Sequence, residues 1–91
     1  MSVRSVPVPV DDEADELRRV IGANVRLARR GAGMSQEDLI EAVDGLFVRQ
    51  QLSTWENGHK QPRETTLARI GSVTGRSLAW FYDSHDDAPG G

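Results

Sequence analysis

Uncharged polar side chains cluster near the middle of the chain, and their types suit hydrogen bonding to a polar ligand. Residues 49–54 contain Gln50, Gln51, Ser53 and Thr54, preceded by Arg49. Amides and hydroxyls both donate and accept hydrogen bonds, and a glutamine can pair with adenine through two hydrogen bonds in the major groove of DNA. The same composition is typical of a helix face that only contacts water, and composition alone favours that second interpretation.

The sequence offers little for catalysis or metal binding. Its 91 residues include no cysteine, which excludes disulfides, thiolate ligands and thiol nucleophiles. His59 and His85 stand apart from any nucleophile motif, and no glycine pattern indicates a phosphate-binding loop. We therefore expect no enzyme, no metal site and no cofactor. With no long apolar run or signal-peptide core, we also expect no membrane segment and a cytoplasmic location.

The charges are divided along the chain. The net charge of −3 arises from −4 in residues 1–16, +4 in residues 17–82 and −3 in residues 83–91. A modestly basic middle is compatible with DNA binding but does not demonstrate it. The acidic ends slightly favour an alternative function, in which the chain is a module that binds another protein.

Apolar spacing predicts an all-α domain at residues 12–83, between a disordered arm at 1–11 and a disordered tail at 84–91. The first helix is predicted at about 12–31, because Pro7 and Pro9 should block an earlier start. The second opens at Ser35, with Asp38 at the capping-box position. The others are predicted at about 46–56, 64–74 and, capped by Ser77, 78–82. The third helix should bury Val48, Leu52 and Trp55, with the indole edge of Trp55 near the surface.

Residues 21–82 resemble the helix-turn-helix family of lambdoid phage repressors, Cro proteins and xenobiotic-response-element-type regulators. The motifs that carry the resemblance are Met34-Ser35-Gln36-Glu37-Asp38-Leu39 and Leu52-Ser53-x-Trp55-Glu56-Asn57-Gly58, followed by Lys60 and Pro62. The resemblance implies a compact five-helix domain whose third helix enters the major groove, usually as a homodimer on a pseudo-palindrome. The expected function is that of a sequence-specific transcriptional regulator, most simply a repressor, that binds double-stranded DNA. The alternative is a protein-interaction module, such as an antitoxin or a phage-encoded adaptor.

The resemblance also implies roles for individual residues. The base-reading side chains would be Arg49, Gln50 and Thr54, with Gln51 and Ser53 at the margin. The phosphate contacts would come from Gln36, Asn57, Lys60 and Arg63. Arg29 and Glu56 would form a partly buried structural ion pair. In the aromatic cluster at 80–82, one or two rings should complete the core, and an exposed Trp80 or Tyr82 is a candidate dimer contact.

The chain departs from the family pattern between Leu39 and Trp55, where it has two residues more than the common spacing. Either Asp44 caps a longer third helix, or the turn is enlarged and Phe47 fills it. The choice among Arg49, Gln50 and Gln51 as base readers depends on which arrangement holds.

Overall fold

A computed structural model describes residues 9–85, with side chains from residue 13 onward. It contains four α-helices, α1 (Pro9–Gly31), α2 (Gln36–Ala42), α3 (Arg49–Glu56) and α4 (Glu64–Thr74), and then a 3₁₀ turn at Ala79–Tyr82. No strand occurs between residues 9 and 85, and the expected all-α class is confirmed. The disorder predicted for the arm and the tail concerns mainly residues 1–8 and 86–91, which lie outside the described residues.

Helix α1 begins earlier than the sequence predicts. It starts at Pro9 and runs for 23 residues, so the expectation that Pro9 blocks the helix is wrong. Proline is tolerated in the first turn because the amides there have no intrahelical acceptor and its φ is already helical. The helix therefore projects further from the domain on its N-terminal side than the predicted start at residue 12 allows.

The core lies where one apolar face of α1 meets the three shorter helices. Ile21, Val25 and Ala28 on α1 are fully buried. They pack with residues from every later element, namely Leu39, Val43, Phe47, Leu52, Trp55, Leu67, Ile70 and Phe81. Removing an aliphatic or aromatic side chain of this size from water stabilises a fold by about 1.5–3 kcal/mol.

A glycine sets the distance between α1 and α3. A Cβ atom added to Gly22 would lie 2.1 Å from the carbonyl oxygen of Trp55, which is backbone and cannot rotate away. Any side chain at this position would push the two helices apart. The end of α3 is thus held directly against α1.

The connection between α2 and α3 is the enlarged turn, the second of the two arrangements left open by the sequence. Asp44 and Gly45 both adopt positive φ, at 58° and 71°. Phe47 is 3% exposed, and its ring meets that of Trp55 edge to face with centroids 4.9 Å apart. The turn therefore closes over the core through Phe47.

Val48 does not lie where the sequence predicts. It is 57% exposed, although its spacing from Leu52 and Trp55 suggested an inward position. Helix α3 begins only at Arg49, and Val48 is the extended residue before it. Its side chain is therefore outside the helical register, and the preceding Phe47 takes the buried place.

The C-terminal element is a single 3₁₀ turn rather than a fifth α-helix. Asn24, which is buried on α1, anchors it by donating from Nδ2 to the carbonyl oxygens of Phe81 (2.8 Å) and Asp83 (2.6 Å). Phe81 is fully buried, whereas Trp80 and Tyr82 are half-buried. One aromatic ring therefore completes the core.

Candidate nucleic-acid interface

Helices α2 and α3 begin with different caps. The hydroxyl of Ser35 accepts a hydrogen bond from the Asp38 N–H at 3.0 Å, and Asp38 Oδ2 accepts one from the Ser35 N–H at 2.9 Å. This is the predicted capping box. The hydrogen bonds from the backbone and side chain of Ser35 lower the pKa of Asp38 below its ordinary value. The cap fixes the direction in which α2 leaves the preceding loop.

Helix α3 has no hydroxyl or carboxylate to cap it, since Val48 precedes it. Instead Gln51 turns back, and its Oε1 accepts a hydrogen bond from the Val48 N–H at 3.0 Å. The amide oxygen of Gln51 is therefore occupied at the start of the helix. Its NH₂ group and the second lone pair of the oxygen can still bind a ligand, but the contact with Val48 fixes the orientation of the amide.

Other residues of the predicted base-reading set also have partners within the protein. Ser53 Oγ donates to Gln36 Oε1 at 3.4 Å, and Thr54 Oγ1 donates to the carbonyl oxygen of Gln50 at 2.9 Å. Arg49 forms an exposed ion pair with Glu37 at 3.4 Å. Gln50 is exposed, and its side-chain amide has no hydrogen bond to any of residues 9–85. It is thus the member of the set with its full hydrogen-bonding capacity available.

Val48 adjoins this free glutamine. An open cleft of about 270 Å³ lies between the start of α3 and the loop that follows the helix. Its lining combines apolar surface, amides, a hydroxyl and an ammonium group, from Val48, Gln50, Gln51, Thr54, Trp55 and Lys60. Sequence analysis missed Val48 as a surface residue of this site, because the enlarged turn that exposes it was one of two open alternatives.

The predicted phosphate contacts surround α3. Lys60 and Arg63 are exposed in the loop before α4 and form no ion pair within residues 9–85. Asn57 Oδ1 accepts a hydrogen bond from Arg26 Nη2 at 3.4 Å. Gln36 is half-buried, and its Nε2 donates to Glu56 Oε1 at 3.2 Å. Within the described part of the chain, two of the four side chains therefore have no ion-pair partner, and the other two belong to one hydrogen-bonded network.

That network centres on Glu56, whose side chain is 1% exposed. Arg29 binds it through two hydrogen bonds, Nε to Oε2 at 2.8 Å and Nη2 to Oε1 at 3.1 Å. Arg29 Nη1 also donates to the carbonyl oxygen of Met34 at 2.9 Å. Arg26 brings a second guanidinium, with its Nε 3.5 Å from Glu56 Oε1. One buried carboxylate thus ties together α1, the loop before α2 and the end of α3.

Trp80 and Tyr82, the candidate dimer contacts, lie away from this network. The guanidinium of Arg76 lies 4.6 Å from the centre of the Trp80 ring, and the His85 ring stacks on it at 4.3 Å. Much of the indole surface is therefore already covered by the protein's own side chains.

The described residues contain no cluster of histidine, aspartate and glutamate able to hold a metal ion. Among the same residues, no helix has the length and apolarity needed to cross a membrane. Two short capped helices joined by a turn, the second with exposed polar side chains and nearby cations, define a helix-turn-helix DNA-binding domain.

Comparison with known proteins agrees with this class. The helix-turn-helix family model matches residues 25–81. The chain is 33% identical over 76 residues to an uncharacterized HTH-type transcriptional regulator of Sinorhizobium fredii, covering 84% of this chain and 96% of that one. It is also 33% identical over 70 residues to an uncharacterized HTH-type transcriptional regulator of Sinorhizobium medicae, covering 77% of this chain but 47% of the relative.

A solved structure has the same fold. The hypothetical transcription factor NHTF from Neisseria superposes with a TM-score of 0.69 at 20% identity, over 96% of this chain and 92% of that one. The chain belongs to the helix-turn-helix family of lambda repressor and Cro type, and the family resemblance inferred from its motifs is confirmed. This is a family of DNA-binding transcriptional regulators, which are typically not enzymes.

Proposed function

We propose that the protein is a repressor that binds operator DNA as a homodimer and reads the major groove with the first turns of α3. The observation that carries this proposal is the exposed side-chain amide of Gln50 at the start of that helix, which has no hydrogen-bond partner among residues 9–85. A free glutamine amide can donate a hydrogen bond to N7 of adenine and at the same time accept one from the N6 amino group of that base. A dimer bound across a promoter would block transcription by occupying the site.

The intramolecular hydrogen bonds and ion pairs separate the other polar residues into those able to contact bases and those that hold α3 in position. Gln51 contacts DNA with the amide held at the start of α3 by its hydrogen bond from the Val48 N–H, so its NH₂ group donates to a base or a backbone oxygen from a fixed position. Arg49 reaches DNA by giving up its exposed pair with Glu37, which is worth little in water. Ser53 and Thr54, whose hydroxyls are already donating, contribute packing and orientation at the margin.

Val48 adds an apolar element to the reading surface. A branched aliphatic side chain beside a major-groove glutamine suits the 5-methyl group of thymine, which is the apolar feature of that groove. Its exposure at the start of α3 therefore supports a preference for thymine next to the base pair read by Gln50.

Gln36 is suited to a phosphate contact without leaving its network. Its NH₂ group has two hydrogens, and one donates to Glu56. The second remains for a phosphate oxygen, and the Glu56 contact holds the amide in position. Lys60 and Arg63 add sequence-independent attraction.

Selection of bound duplexes from random oligonucleotides, followed by affinity measurements at several salt concentrations, tests the proposal. We expect one enriched two-fold motif and an affinity that falls steeply with salt. Val48→Ala should lose its preference for thymine over uracil at one position of each half-site, whereas Leu46→Ala, which shortens another exposed apolar side chain of the turn, should retain it.

Failure to enrich any duplex would overturn the proposal. The acidic first turns of α1, with exposed Glu13 and Glu16, would then favour the alternative in which this domain binds a protein.

A further inference from the structure

The outer face of α1 carries a stripe of five residues, of which four are exposed and one, Val20, is half-buried. The residues of this stripe, Glu16, Val20, Ala23, Leu27 and Arg30, follow one another at spacings of four, three, four and three. This is the heptad spacing by which two helices pack along their length. Leu27 is 43% exposed, and it is one of three large apolar side chains so exposed among the described residues. An exposed leucine in heptad register with a valine and an alanine is typical of a helix–helix contact.

The surface beside the stripe is concave. Residues of α1 form one wall of an open groove of about 520 Å³, and Ser84 and His85 also line it. The α1 residues of this wall are Glu16, Arg19, Val20, Ala23, Asn24 and Leu27. At its centre Ala23 offers only a methyl group, which allows the axis of another helix to approach closely there. Gly22 and Arg29, which contact α3, lie on a different side of α1. An occupant of the groove would therefore leave α3 uncovered.

The charges of the stripe identify the occupant. Its N-terminal end carries Glu16, its middle is apolar and its C-terminal end carries Arg30, each charge seven residues from Ala23. Glu16 also forms an exposed pair with Arg19 at 3.3 Å, which is worth little in water and can be exchanged for a partner's arginine. When two such helices cross in antiparallel orientation at Ala23, Glu16 of each lies opposite the partner's Arg30, about 10 Å along the axis from the crossing point. Val20 then lies within one residue of the partner's Leu27. A parallel pair would instead oppose like charges.

We propose that α1 forms the dimer interface of this protein, through antiparallel pairing of its outer stripe with the same stripe of a second copy. The proposal rests on the dimeric DNA binding proposed above and identifies the surface through which the two copies associate. It differs from the sequence-based candidate at Trp80 and Tyr82, since Arg76 and His85 already cover the indole of Trp80. One short helix pair buries little area, so self-association in solution is weak and is strengthened on a two-fold operator.

Charge reversal tests both the surface and the orientation. In a dimer of Glu16→Arg, the new arginine of each copy would face the partner's Arg30, which gives two repulsive contacts. In a dimer of Arg30→Glu, the new glutamate of each copy would face the partner's Glu16, with the same result. In sedimentation experiments on the full chain at low salt, we expect each variant alone to self-associate at least about tenfold more weakly. A one-to-one mixture of the two variants should recover most of the native affinity, because both charged contacts between the two helices of the mixed dimer then join opposite charges.

The controls carry the same charge changes elsewhere. Glu41→Arg on α2 and Arg69→Glu on α4 alter exposed positions and should leave association unchanged. The proposal is overturned if the stripe variants associate like the native chain, if their mixture does not recover, or if Tyr82→Ala alone abolishes association in a folded protein. Because these measurements contain no DNA, their outcome is independent of whether the oligonucleotide selection succeeds.

Discussion

The buried carboxylate of Glu56 should be among the groups on which the fold depends most. Replacing it with leucine leaves two guanidinium groups at the junction of α1 and α3, and Arg29, whose side chain is 9% exposed, keeps only the carbonyl oxygen of Met34. Breaking a buried ion pair by removing one partner costs about 3–5 kcal/mol. A domain of this size is stable by only about 5–14 kcal/mol. Glu56→Leu should therefore remove a large part of the total stability.

The two halves of the pair should not be equivalent. After Arg29→Met, the Glu56 carboxylate retains Arg26 at 3.5 Å and the amide of Gln36 at 3.2 Å. We therefore expect Arg29→Met to cost near the lower end of that range and Glu56→Leu near the upper end. The double variant removes both charges, so its loss should fall short of the sum of the single losses by about 1–3 kcal/mol.

Urea unfolding at pH 7, followed by far-ultraviolet circular dichroism, measures these losses, with Glu56→Gln as a milder variant if Glu56→Leu is unfolded. A loss of 3 kcal/mol should also lower Tm by roughly 12–24 °C. Arg19→Met is the control, because Arg19 forms an exposed pair with Glu16 at 3.3 Å that should contribute less than about 1 kcal/mol. Additive losses in the cycle, or single losses no larger than that of the control, would refute the reasoning.

Three further changes test the packing, the reading surface and the cap. Gly22→Ala should destabilise by about 2–3 kcal/mol in urea unfolding because its Cβ meets the Trp55 backbone at 2.1 Å, whereas Gly31→Ala, which meets only a flexible side chain, should cost little; equal losses would contradict the close approach. Gln50→Ala should cost about 1–3 kcal/mol of specific binding and relax preference at one base pair per half-site, and a uniform loss over all single-base operator variants would exclude base reading. Folding lowers the pKa of Asp38 below its ordinary value of 3.8, so the ionised carboxylate stabilises the fold at pH values above 3.8. This contribution disappears as the pH falls through the lower pKa of the folded state. In acid-unfolding measurements, the stability difference between the native chain and Asp38→Asn should therefore stay constant above about pH 5 and shrink below pH 3.8.

Much of the fold could be predicted because the local signals agree with the tertiary structure. The three- and four-residue spacing of Ile21, Val25 and Ala28 defines the buried face of α1, and all three are fully buried. Ser35 and Asp38 define the start of α2 because their side chains form the reciprocal hydrogen bonds of a capping box, whose spacing is typical of a helix N-terminus. Both signals depend on residues three or four positions apart in the chain, so they can be read directly from the sequence.

The sequence could not specify features that depend on distant partners. Val48 has the spacing of a core residue, and only the competition with Phe47 for the space beside Trp55 decides which side chain is buried. The 3₁₀ turn at 79–82 depends on the amide of Asn24, which lies more than fifty residues earlier. The partners of Gln36 are also invisible locally, since Ser53 and Glu56 belong to another helix.

These long-range contacts connect base reading to stability. Helix α3 has eight residues, too few to hold its own orientation, since isolated helices of this length are marginal in water. Its beginning is fixed by Phe47 packing under the turn, and its end is fixed by Glu56 and by the contact of the Trp55 backbone with Gly22. A change in either anchor therefore alters the angle at which the Gln50 side chain leaves the surface. For this reason, variants of the core that remain folded should change which operators are preferred as well as how tightly they are bound.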